Sequence, residues 1–245
     1  MVSDFLRVKC TTFTLVNKCD FPVWPGILSG SGSPKLDSTG FELSKDTSRT
    51  FRAPAGEMEC NGSGAEPPAT LAEFTLGISG SLDFYDVSLV DGYNLPMIVE
   101  GSGLCPTTGC VTDLNQNCPT ELKAKRSLAC RSACEAFGRP EYCCSGAYGS
   151  PDSCKPSMYS QVFKSACPKS YSYAYDDATS TFACSGADYT ITFCPKLSSL
   201  KSSKEPPPEE TGGESGSGTD SSTEIQQPIE EASLANSYYA AMAIG

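Results

Sequence analysis

Glu73, Asp83 and Asp86 stand within fourteen residues of one another, inside the stretch 67–97. Grouped acids are candidates for acid–base work, because like charges held together raise one pKa and leave a protonated acid beside an ionised partner. In residues 71–76, alternation puts Ala72, Phe74 and Leu76 on one face and turns Glu73 to the other with Leu71 and Thr75. Asp83 and Asp86 lie on the next run, DFYDVSL, at odd separation, so an ideal strand sends them to opposite faces. Only a bulge or twist there brings both toward Glu73. The same acids equally fit the solvated outer face of a half-buried hairpin, and spacing leaves both readings open.

Composition removes several chemistries. The 245 residues contain no histidine, which excludes His-dependent triads, HExxH zinc sites and imidazole acid–base catalysis. The formal charge is −11, and residues from 200 onward hold Lys201 and Lys204 against eight acids, so the remaining body is only mildly acidic. That balance argues against nucleic acid, whose phosphates call for clustered Lys and Arg. The 14 cysteines point to disulfides formed in the secretory pathway. Their spacings, CxxxC at Cys130 and Cys134 and an adjacent pair at Cys143 and Cys144, do not make zinc knuckles, so neither a metal nor another cofactor is expected. Against secretion, residues 1–10 carry Asp4, Arg7 and Lys9 where a leader needs an apolar run; the cysteines outweigh this. No run approaches the roughly 18 apolar residues of a membrane span.

The elements that must position the acids read mainly as strands. Residues 12–17 form a short strand, and residues 21–26, FPVWPG, are too proline-rich for a central one and read as an edge or bend with Trp24 packed into the core. Turn residues follow, then a return strand anchored by Phe51, the acidic hairpin, and a strand over 97–100. Between Cys110 and Cys167 eight cysteines fall and alternation disappears; helices are expected over 129–137, stopping at Gly138, and around Tyr159 and Phe163. Residues 189–193 alternate in a last strand. Beyond residue 200 the chain is Pro, Glu, Ser, Gly and Thr, the composition of a disordered acidic tail.

TLAEFTL and DFYDVSLVDGYNLPM, with TFTLVNKC, VWPGI, TGCVTDLNQNCP, CRSACEAFGRPEYCC, YSYAYDDATSTF and YTITFCP, resemble the thaumatin-like proteins of the plant pathogenesis-related group. The resemblance covers roughly residues 11–195. It implies a mainly β fold: a thaumatin-like β-sandwich over 11–110 and 168–196, a disulfide-stapled lobe with short helices over 111–167, an atypical leader remnant over 1–10, and the acidic tail over 197–245. It also implies six disulfides: Cys19 with Cys194, Cys105 with Cys184, Cys110 with Cys167, Cys118 with Cys130, Cys134 with Cys143, and Cys144 with Cys154. Cys10 and Cys60 are left over, and Asn61 opens a glycosylation sequon.

By the same resemblance, Glu73, Asp83, Asp86 and Asp176 supply the acids of a cleft between sandwich and lobe. The arginine of that cleft has no counterpart, because the chain runs from Ala55-Gly56 straight to Glu57-Met58-Glu59-Cys60 where relatives insert a small disulfide-rich segment. Two functions of different class follow. In one, a secreted, monomeric defence module of the apoplast or cell wall binds β-1,3-glucan or another fungal-wall polysaccharide, with at most a weak endo-glucanase activity in which Glu73 is the acid. In the other, a non-catalytic interaction or structural protein, a protease or amylase inhibitor, or a partly damaged gene product keeps the sandwich without the cleft. A membrane enters only if the tail carries a lipid anchor.

Overall fold

A computed structural model describes residues 10–29, 39–54, 66–77, 81–124, 128–196 and 239–244. Asn61 and Cys60 lie outside them, as do the side chain of Cys10 and the tail over 197–238.

Among the described residues, ten strands make two five-stranded sheets. β1 (Cys10–Asn17), β3 (Ser48–Pro54), β6 (Met97–Gly101), β7 (Thr108–Cys110) and β9 (Tyr189–Phe193) lie in the order β3-β1-β9-β6-β7. β2 (Trp24–Ser29), β4 (Leu71–Thr75), β5 (Asp83–Ser88), β8 (Phe182–Cys184) and β10 (Tyr239–Ile244) lie in the order β2-β10-β4-β5-β8. Alternating apolar residues turn inward from both sheets and meet as an aromatic cluster. Phe13 and Tyr189 come from the first sheet, Phe74 and Tyr85 from the second, with ring centroids 4.8 Å apart for Phe13–Phe74 and 5.1 Å for Tyr85–Tyr189. Such edge and tilted contacts add to the burial of large rings.

The stapled lobe has its own core of Leu89, Tyr93, Leu114, Leu122 and Phe163 with four half-cystines. Its helices are short: α1 (Ala133–Phe137), α2 (Pro140–Cys143), α3 (Met158–Ala166) and, after the lobe, α4 (Asp177–Ser180). All six bridges implied by the resemblance are present, from Cys19–Cys194 to Cys144–Cys154.

Three expectations change. Trp24 is half-buried rather than core, because alternation gives the inward positions to Val23, Pro25 and Ile27. The helix expected from 129 starts at Ala133, since Cys130 exchanges backbone hydrogen bonds with Tyr93 and Ser132 caps α1 by accepting from the Glu135 amide. It does stop at Gly138, in the left-handed conformation at φ 61°. And the chain's last described stretch is a strand, β10, seated between β2 and β4. It is the apolar end of an otherwise acidic segment, and the facing edges of two strands offer its backbone partners on both sides.

Candidate functional site

The β4–β5 hairpin is regular. Leu71 pairs with Ser88, Glu73 with Asp86 and Thr75 with Phe84, one residue against one throughout. No bulge therefore redirects either aspartate. Asp86, directly opposite Glu73, shares its outer face, where paired Cβ atoms stand about 4.5 to 5.5 Å apart. Asp83, three residues away, stays on the core face beside Tyr85 and Val87.

That parity separates the two roles. Asp83 is 3% exposed, and its oxygens accept from the Gly77 amide at 2.8 Å and the Tyr189 hydroxyl at 3.0 Å. It is a buried, satisfied structural carboxylate and no part of an open site. Glu73 and Asp86 are half-buried and in contact. Burial pushes Glu73 above the ordinary carboxylate range and the Asp91 charge adds to this, while hydrogen bonds with Asp86 and Ser88 pull partly back. Burial pushes Asp86 up as well, followed by the charge and hydrogen bond of Glu73 and the charge of Asp177. Like charges at this spacing favour one proton held between the two carboxyls, and Asp86, raised by both the charge and the hydrogen bond of Glu73, is the group that holds it. The other Asp86 oxygen, Oδ1, is buried with no hydrogen-bond partner among the described residues.

Two further acids thus act on the pair, neither of them a sequence candidate. Asp91 lies exposed in the turn that follows β5, where the Gly92 amide donates to the Leu89 carbonyl. Its position five residues beyond Asp86, in a polar D-G turn, was the available signal. Asp177 opens α4, and its Oδ1 accepts from the Tyr171 hydroxyl at 2.9 Å. Asp176, the expected fourth acid, is instead tied into the loop. Its Oδ2 accepts from Lys164 Nζ at 3.0 Å and from the amide and hydroxyl of Ser172 at 3.0 and 2.8 Å. Lys164 also donates to the Ser170 carbonyl and the Ser180 hydroxyl, so this knot positions Asp177 without joining it.

The acidic band continues onto the lobe. Burial pushes Glu135, on α1, up to about 7, with Arg131 opposing and Asp91 adding to the rise. Asp91 therefore acts on carboxyls of both sandwich and lobe, linking Glu135 electrostatically to the Glu73–Asp86 pair. Beside it the lobe carries a hollow lined by Leu89, Val90, Ser132, Tyr142, Tyr159 and Tyr173. Tyr142 and Tyr159 of this lining pack with Phe137, ring centroids 5.3 to 5.8 Å apart. Among the described residues no three His, Cys, Asp or Glu side chains are grouped to hold a metal ion.

The sequence model of the thaumatin family matches residues 54–195. Among curated proteins, the chain is similar to Thaumatin-like protein 1 of Arabidopsis thaliana, at 60% identity over 226 residues, covering 76% of this chain and 86% of that one. It is similar to Pathogenesis-related thaumatin-like protein 3.5 of Cryptomeria japonica, at 52% over 223 residues, covering 77% and 92%. A third relative is Pathogenesis-related protein 5 of Arabidopsis thaliana, at 48% over 227 residues, covering 79% and 94%.

Proposed function

The chain belongs to the thaumatin family, and we propose that it is a secreted, monomeric defence module which binds β-1,3-glucan of fungal walls along the acidic band and does not hydrolyse it. The observation that carries this reading is the half-buried Glu73–Asp86 pair on the outer face of the hairpin, with the charges of Asp91 and Asp177 acting on it. Sugar hydroxyls both donate and accept, and they suit a pair that holds one proton between two carboxyls. Asp91, Asp177 and Glu135 extend the row of acceptors, and the aromatic cluster beside it supplies flat apolar surface for sugar rings. Secretion rests on the six disulfides, which an oxidising compartment sustains.

Hydrolysis is left out for a geometric reason. Glu73 and Asp86 stand directly opposite each other on one face of one hairpin, whereas glycosidases hold their two carboxyls about 5 to 9.5 Å apart on either side of the scissile bond. Co-sedimentation with insoluble β-1,3-glucan tests the proposal. Wild-type protein should sediment with the polymer, Glu73→Ala and Asp86→Ala should remain largely in the supernatant, and no reducing sugar should be released. Sedimentation unaffected by both variants would remove the acidic band as the binding surface. Sugar release abolished by Glu73→Gln would restore catalysis.

A further inference from the structure

β10 departs from the other strands in how it reaches its place. Residues 194–238, 45 in all, separate it from the end of β9, yet it lies inside a sheet, parallel to both neighbours. Against β2 the register runs from Tyr239↔Trp24 to Ile244↔Ser29; against β4 it runs from Ala241↔Leu71 to Ile244↔Phe74. Among the described residues, the far side of β2 and of Val23 just before it makes isolated bridges, Val23↔Leu43 and Gly26↔Gly40. β10 is therefore the element that joins β2 to the rest of its sheet. The segment that does so, YAAMAI, is uncharged and apolar at the end of a stretch that holds eight acids.

We propose that the gap between β2 and β4 is a binding site for an extended apolar peptide in parallel orientation, and that Tyr239–Ile244 is its resident ligand, supplied by the chain itself and replaceable by the same peptide in trans. Two facing strand edges present alternating amides and carbonyls, and an inserted strand satisfies both rows at once. Left empty, the same edges would be templates for unwanted pairing. Tethering holds the resident strand at an effective concentration of order millimolar, so a free peptide competes only weakly until the tether is cut.

The test uses the full chain with a site-specific protease sequence inserted after Lys204. After cleavage, the C-terminal fragment should co-elute with the body in gel filtration. Excess synthetic peptide of residues 238–245 should displace it, and a scrambled peptide should not. Trp24, the single tryptophan and the register partner of Tyr239, reports occupancy by fluorescence. Independently, Leu28→Cys with Ala243→Cys, a register pair, should form a cross-link that peptide mapping locates within one chain. A fragment that separates immediately on cleavage, with no cross-link in the double variant, would overturn the proposal. Cross-linked dimers would overturn it as well, placing a second copy's strand in the gap.

Discussion

The Tyr189 hydroxyl donates to Asp83 Oδ2 at 3.0 Å, so a strand of one sheet is fastened to a strand of the other by a buried side-chain hydrogen bond. The same carboxylate takes the Gly77 amide at 2.8 Å. Burial and the Asp83 charge both raise the Tyr189 pKa, keeping that hydroxyl a donor. Asp83→Ala leaves two donors without partners, and the expected loss is about 2 to 4 kcal/mol of stability by urea titration. Glucan binding by the folded fraction should be unchanged. A loss below the resolution of the titration would mean that the inter-sheet bond contributes nothing.

The Glu73–Asp86 pair predicts how stability depends on pH. Both carboxyls titrate above their ordinary values of 4.5 and 3.8 in the folded chain. Over that window the folded state binds more protons than the unfolded one, so the pair's contribution to stability is full at low pH. It is lost as pH rises through the raised values. Asp86→Asn removes the need to take up a proton on folding. It should raise the melting temperature at neutral pH and leave it nearly unchanged near pH 3, which melting curves across pH would check. Equal gains at both pH values would indicate a packing effect rather than a charge effect.

Glu135 provides a second, smaller titration. With its pKa raised to about 7, chiefly by burial, it too favours the folded chain at low pH and disfavours it as pH rises toward 7. Glu135→Gln should flatten that part of the pH–stability curve. Its NMR side-chain carboxyl shift, followed through titration, should move near neutrality. A midpoint in the usual carboxylate range would show that the lobe does not shield it.

Lys164 holds the loop before α4 through Asp176, Ser170 and Ser180. Lys164→Met should cost about 1 to 3 kcal/mol, the range for hydrogen bonds to charged groups. Because the knot sets Asp177 beside Asp86, the variant should also bind glucan more weakly while folded. Unchanged binding in a measurably destabilised variant would separate Asp177 from the site.

Cys19–Cys194 closes the longest loop among the bridges, with a sequence separation of 175. On the chain-entropy account a bridge of that span contributes about 5 kcal/mol, so Cys19→Ala/Cys194→Ala should be the most destabilising of the paired cysteine replacements. Melting temperatures of the six double variants give the order.

Local pattern was enough for much of the molecule. Alternation in residues 71–76 turns Glu73 outward and Phe74 inward, and the observed strand does so because the period of two is a property of the backbone. The cysteine partners followed from the family resemblance, since spacing alone permits many pairings. Which aspartate stands with Glu73 was not legible. Odd separation requires Asp83 and Asp86 to part, but only the hairpin register, with Glu73 opposite Asp86, decides which goes where. Asp176 and Asp177 are neighbours in sequence, and their roles are divided by Lys164, which reaches the loop from α3. Trp24 reads as a core residue in the sequence, whereas the parity of its strand gives the inward positions to Val23, Pro25 and Ile27. β10 is the extreme case. Its six residues become a strand through hydrogen bonds to β2 and β4, whose residues lie far away in sequence, and a contact of that kind is decided by tertiary structure rather than by any local preference.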